Sequence, residues 1–486
     1  MPDRRRVVRG ALRAAAAVAT GAVVAAVVAA AVLVPWPESR AESQSVVVAP
    51  AESRQQRVCP GPLLQLGDDA LAATTATSFG PADQVTATVP SGADVEEVPI
   101  AAPDNPSSDV DGGPVALQVE PGVVDIGMLA GAQAQLATEE TLAGLAVAAC
   151  REPVADAWLV GGSTALGRVT LVLLANPTDV AAEVDLRVFG EAGPVEAPSA
   201  LGLVVPPGTQ RIVSLAGLAP DLESPVVHMT STGGRVVATL EQTAIDGLSP
   251  AGAEFVSASA APADEARIPG VVVVEAGEVT VDEDHVEGDS FPALRLLAPG
   301  DDPVAVSVGV VPEGLGSGTT IDVSLQPGQV TDVPLGALDP GSYAIDLLAD
   351  GPVVASARAS IAPIPTDLPG GSADPGDLAW YPAPSELIGD LAVAVPDAPL
   401  PVLHLVAPTG SDVEVVVASV EGGQERRVQV PAGGAASVDL EPGEGVVLRG
   451  VDGLSASITF GDGRTLASLP IEPPGALDAP IRVFPR

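Results

Sequence analysis

Three stretches of the chain repeat one pattern, and that repetition narrows the possible folds more than any other feature. A first motif reads LLANPTDVAAEVDLRV from Leu173, LLAPGDDPVAVSVGVV from Leu296 and LVAPTGSDVEVVVASV from Leu405. Each is an apolar strand, a break at Pro or Gly, and a second strand in which apolar residues alternate with period two, so one face turns inward. A second motif follows each copy: LVVPPGTQRIVSL from Leu203, VSLQPGQVTDVPL from Val323 and VQVPAGGAASVDL from Val428, with Gly208, Gly328 and Gly433 in equivalent places. A third closes each unit: PVVHMTSTGGRVVATL from Pro225, SYAIDLLADGPVVASA from Ser342 and GVVLRGVDGLSASITF from Gly445. The second and third motifs read as hairpins, strand–turn–strand with a residue that tolerates positive φ at the turn. Short strands in units of roughly 110–120 residues predict an all-β protein of tandem immunoglobulin-like β-sandwich domains. Trp158 and Trp380 each precede a first motif and read as equivalent positions.

The boundaries follow from these units. The first sandwich spans 57–262, with an N-terminal elaboration that lacks the full repeat; the second spans 265–362; the third spans 377–486. Residues 363–376 (PIPTDLPGGSADPG) read as a linker. Residues 90–114 read as a surface loop. TEETLAGLAVAAC reads as a helix capped by Thr138.

Ahead of the repeats lies a membrane signal. Arg4, Arg5, Arg6, Arg9 and Arg13 lie in a basic segment, 1–13, and Ala14–Val34 carries no charge. As a helix that run reaches roughly 30 Å, the thickness of a bilayer core. Basic residues stay inside, so everything beyond a polar stalk at 35–56 is expected outside the cytoplasm, with Trp36 at the interface. The reading is a single-pass anchor at 14–34; cleavage as a secretory signal, or export through the weak twin-arginine pattern, gives the same compartment for the rest. The two cysteines, Cys59 and Cys150, fall on the exterior side, where one structural disulfide is expected. It closes a loop of about 90 residues and is worth roughly 4–5 kcal/mol in the chain-entropy model.

Composition bears on function mainly by exclusion. Acidic residues number 63 against 22 basic, a formal net charge of −41. All the basic residues are Arg. With 2% aromatics, neither a basic patch nor a stacking platform for nucleic acid is present. No Lys means no phosphate loop of the Walker type, and GGSTA at Gly161 lacks the last Gly of a nucleophile elbow. His228, His285 and His404 lie far apart in sequence, without HExxH; His228 and His404 read as satisfied strand residues. His285 sits in VDEDHVEGDS with Asp282, Glu283, Asp284, Glu287 and Asp289, whose spacing departs from a Ca²⁺ loop and reads as a solvated acidic loop. Sequence therefore assigns no catalytic residue, no cofactor and no metal ligand.

The RVCPGP run at Arg57–Pro62, the distant Cys150 and the AWLVGGST…GRVTLVLLANPT stretch at Ala157–Thr178 together resemble a family of secreted or membrane-anchored actinobacterial proteins of unknown function, DUF5719. That resemblance implies an envelope location and no catalytic residues. The expectation is a non-catalytic, membrane-anchored envelope protein that displays β-sandwiches to a protein partner. The alternatives are an accessory factor in envelope polysaccharide or wall assembly, and a hydrolase whose site is dispersed in sequence.

Overall fold

The computed structural model describes residues 15, 18–23, 46–48, 54–67, 75–274, 291–314, 317–364, 374–423, 425–475 and 481–483. The chain divides into two compact units, one of residues 51–478 and one of residues 1–50 with 479–486. In the smaller unit, residues 15 and 18–23 are helical and exposed. Most of the expected 14–34 span lies outside the described residues. Among those described, no helix is long and apolar enough to cross a membrane. The expected stalk is not wholly irregular: Val46–Val48 pairs antiparallel with Ile481–Val483.

The larger unit is all-β, and the repeat is real in three dimensions. The first copy has eight main strands: Asp156–Val160, Arg168–Asn176, Ala182–Gly190, Leu203–Val205, Thr209–Ser214, Val226–Gly233, Val237–Asp246 and Ser249–Val256. Numbered in chain order, they form one sheet with pairings 1-6-3-4 and a second with pairings 5-2-7-8. The third copy, Leu391–Ala394 through Ala467–Ile471, has the same two orders. So does the second, from Ala263–Val273 to Asp377–Pro382, except that its sixth and seventh strands are two halves of one 21-residue strand, Gly341–Ile361. The first half pairs with Ala263–Val273 and Val304–Pro312, the second with Ala293–Leu297 and Asp377–Pro382.

In each copy the second strand pairs with the fifth and seventh, and the third with the fourth and sixth. What changes is the turns read as hairpins. In the second motif, Leu203–Val205 pairs with Ala182–Gly190 in one sheet, whereas Thr209–Ser214 pairs with Arg168–Asn176 in the other. The turn arches the chain across the core instead of folding it flat. Gly208, Gly328 and Gly433, at φ +64°, +69° and +63°, make the same arch three times, in a region open to glycine without steric cost. The third motif crosses likewise, from Gly445–Arg449 in one sheet to Ser455–Phe460 in the other. Arching lets both strands turn their alternate apolar residues onto one layer, as the burial of Ala182, Val184, Leu186 and Val188 shows.

Two boundaries also change. Asp377–Pro382 is not the start of the third unit but the last strand of the second, paired along Ser356–Ile361. Trp158 and Trp380 are therefore not equivalent: one is on a first strand, the other on an eighth. The misassignment has a physical basis. Leu378 and Trp380 enter the core of the first unit, while Ala379 and Tyr381 enter that of the second, so the strand serves two cores and shows no polar face. Of the expected linker, residues 365–373 lie outside those described, and Ile364 bridges Asp374.

The N-terminal elaboration is a centrepiece shared by two units. Asp83–Thr88, Leu129–Thr138 and Ala143–Ala149 form a three-stranded sheet. Ala132, Ala134, Leu145 and Val147 join the core of the third unit, whereas Ala137, Leu142, Ala146 and Ala148 pack on Leu171, Leu173 and Phe255 of the first. Burial on both faces explains why LAGLAVAA lacks alternation. It also corrects the expected helix after Thr138, which is a hairpin strand. The expected loop at 90–114 holds a strand, Glu96–Pro99, and one helical turn, Ser108–Asp111.

Candidate functional site

The one site that sequence singled out is formed. Cys59 and Cys150 are bonded across 91 residues, both buried. Cys59 ends the Gln55–Cys59 strand, and Val58 and Arg151 exchange backbone hydrogen bonds of 2.8 and 2.9 Å beside the bridge. The disulfide therefore fixes the residues on either side of it: Arg57 before one cysteine, Arg151 and Glu152 after the other. These line a half-open cleft of about 200 Å³, walled by Leu129, Leu391, Val393 and Ile471 and closed by Glu472–Gly475. Arg57 pairs with Glu152, donates to Gln56 O at 3.0 Å, and is almost wholly buried. Burial lowers its pKa, with Glu152 acting against that shift. Arg151 is held only loosely, with Glu472 at 3.7 Å. Sequence reasoning passed over these four residues; the signal for Arg57, Arg151 and Glu152 was the charge placed around each cysteine, in RVC and CRE, whereas nothing local marks Glu472.

Where the three units and the centrepiece meet, charged groups lie inside the molecule. Arg295, in the otherwise apolar ALRLL strand, has no exposed side-chain surface. All five of its N–H groups are used. Two go to Asp332, at 2.8 and 2.9 Å, and one each to the carbonyls of Gly162, Pro225 and Glu223, at 2.7, 3.1 and 3.1 Å. Its guanidinium also lies 4.6 Å from the Trp380 ring centroid, and Trp380 Nε1 donates to Gln242 at 2.7 Å. Burial alone would raise the Asp332 pKa, but Arg295 holds it below the ordinary carboxylate range. The second unit is thereby locked to the first.

Three further buried carboxyls sit nearby without an equivalent cation. Asp377 accepts N–H bonds from Leu145 of the centrepiece, Leu466 of the third unit and its own neighbour Leu378, at 3.0, 3.0 and 2.9 Å. Burial nonetheless pushes its pKa up to about 8. Glu241 accepts from Leu64 N at 2.7 Å and is also pushed up by burial, to about 8. Glu254 is held well above the ordinary range by burial and then by the neighbouring Asp377. Burial thus favours the neutral form of each of these acids.

The histidines lie apart. His228 stacks on Trp158, with ring centroids 3.9 Å apart, and meets Asp156 at 2.9 Å. His404 is buried between the second and third units, with Nδ1 2.7 Å from Glu313 and Nε2 2.9 Å from Thr459 Oγ1. A carboxylate only accepts, so Nδ1 carries the proton and, in the neutral ring, Nε2 accepts from the Thr459 hydroxyl. Acid, imidazole and hydroxyl in that order match the logic of a nucleophilic triad. Here, however, the hydroxyl is packed shut within the Ser455–Phe460 strand, and the network ties one unit to the next. The acidic segment around His285 lies outside the described residues. Among those described, no group of three or more His, Cys, Asp or Glu residues is placed to hold a metal ion.

A model of a family of unknown function, DUF5719, matches residues 106–441. No curated protein matches the chain. Among solved structures, the chain is similar to Thermotoga maritima 1070, at 15% identity over 25% of this chain and 92% of that one, with a TM-score of 0.18. It is also similar to a tetra-tandem repeat in the extending region of a large adhesion protein, at 15% identity over 82% of this chain and 92% of that one, with a TM-score of 0.10.

Proposed function

We propose, from the premise that this chain belongs to the DUF5719 family, that it is a non-catalytic protein of the cell envelope. A single N-terminal helix at 14–34 anchors it, and a rigid all-β body outside the cytoplasm is presented to a protein partner. The observation that carries the reading is the buried Cys59–Cys150 bridge, because such bonds persist where the compartment is oxidising. The arginines before an uncharged Ala/Val run orient the chain in agreement with it. The surface charge supports display rather than contact with nucleic acid or anionic lipid, since both would be repelled. The interlocked units support a structural role, in which a stiff body holds a binding surface at a fixed place.

The test is thiol trapping in cells that make the full-length chain. Cells are quenched in acid, denatured, alkylated and separated into membrane and soluble fractions. The reading expects an uncleaved chain in the membrane fraction with both cysteines oxidised, and digestion of the β body by protease added to cells stripped of their wall. A soluble chain with both thiols alkylated, protected from that protease, overturns it.

A further inference from the structure

The cleft beside the disulfide holds two ion pairs of unequal quality. Arg57 and Glu152 satisfy each other, and Glu152 also accepts from Gly475 N at 2.9 Å. Arg151 and Glu472 do not. The five N–H donors of the Arg151 guanidinium make one hydrogen bond, a marginal 3.5 Å contact from Nη2 to Ala258 O, and Nη1 is buried without a partner. Glu472 accepts only from Ser385 N, at 3.3 and 3.4 Å, and stands 3.7 Å from Arg151. Both side chains are about four-fifths buried, at 20% and 17% exposure. Native interiors seldom leave charged groups so poorly bonded, and such groups call for an explanation.

We propose that this cleft binds a small α-amino acid as its zwitterion, the carboxylate on Arg151 and the ammonium on Glu472. A simple anion would be repelled by Glu472 and a simple cation by Arg151. A ligand carrying both charged groups on one carbon satisfies both members of the loose pair. The wall of Leu129, Leu391, Val393 and Ile471 suits a short aliphatic side chain, and about 200 Å³ admits a molecule of leucine size but not a long peptide. The site is built before the ligand arrives: the disulfide and the paired Val58–Arg151 backbone hold one wall, which lowers the cost of ordering it on binding.

Isothermal titration calorimetry on the purified full-length chain tests this with L-leucine. Two analogues serve as controls: 4-methylpentanoate, which lacks the ammonium, and isoamylamine, which lacks the carboxylate. The expected result is saturable binding of leucine, with each analogue weaker by about tenfold or more. Arg151→Met and the isosteric Glu472→Gln are each expected to weaken leucine binding by a similar factor while retaining a native-like melting profile. No saturable heat at millimolar leucine, an analogue that binds as tightly, or unchanged affinity in a folded Glu472→Gln chain overturns the proposal.

Discussion

Replacing Arg295 by Met removes a guanidinium of which every donor is engaged and leaves the rest of the site in place. Asp332 loses two charge-assisted bonds and keeps the Ser224 hydroxyl at 2.8 Å. The carbonyls of Gly162, Pro225 and Glu223, all in the first unit, lose their donor together. Met fills most of the volume and returns some apolar contact, but a buried carboxylate stripped of its partner costs about 3–5 kcal/mol. That is a large share of the roughly 5–15 kcal/mol by which a domain is usually stable. Denaturant unfolding of the oxidised protein at neutral pH measures it through the shift in midpoint at constant slope. A cycle with Asp332→Leu sharpens the reading. If the cost is that of an orphaned carboxylate, the double variant is more stable than the sum of the single losses by about 2 kcal/mol or more. A loss below about 1 kcal/mol for Arg295→Met, or additivity within about 0.5 kcal/mol, would refute the assignment of this residue as the clamp between the first two units.

Two further outcomes follow from the same junction. Glu241 and Asp377 have folded pKa values raised to about 8, so the stability they permit is complete below their unfolded values, near pH 4, and is lost as pH rises towards 8. Each contributes a slope of about 1.4 kcal/mol per pH unit across that window. Glu241→Gln retains an acceptor for Leu64 N and is expected to flatten one proton's share of the slope in unfolding curves at pH 5, 6, 7 and 8; an unchanged slope contradicts the assignment. Gly270 sits at φ +69° with its Cα hydrogen side against the His404 ring, where a Cβ would come within 2.5 Å of Cγ and Cδ2. Gly270→Ala combines left-handed strain with overpacking at the seam of the second and third units, so a loss of about 2 kcal/mol or more in denaturant melts is expected, and a smaller one argues that the seam is slack.

What the sequence disclosed is what local chemistry controls. The equivalent glycines at 208, 328 and 433 announced a repeated turn, and the three copies do adopt one backbone conformation there. Whether such a turn lies flat or arches between sheets depends on where the next strand finds its partner, which no single motif encodes; hence the crossing order was hidden. The strand at Asp377–Pro382 followed a Pro/Gly-rich stretch and so read as a new beginning, although its pairing lies backwards in the chain. Ala143–Ala149 looked helical because burial on two faces erases period two. The buried charges left a partial trace, since Arg295 interrupts the otherwise apolar ALRLL strand, whereas Glu241 sits among polar neighbours in VATLEQTAID. The disulfide was readable from cysteine count and the expected compartment, but the arginine-lined cleft beside it was not, because its walls at Leu391–Ala394 and Leu469–Gly475 are brought there only by the fold.

Buried contacts between the units make residues 51–478 one body and not three beads joined by linkers. Differential scanning calorimetry of the oxidised protein at neutral pH tests this most directly. Buried clamps at Arg295, Asp377 and His404 predict a single transition whose calorimetric and van't Hoff enthalpies agree. Separate transitions, with a calorimetric enthalpy several-fold above the van't Hoff value, would show that the units melt independently and that the clamps do not couple them.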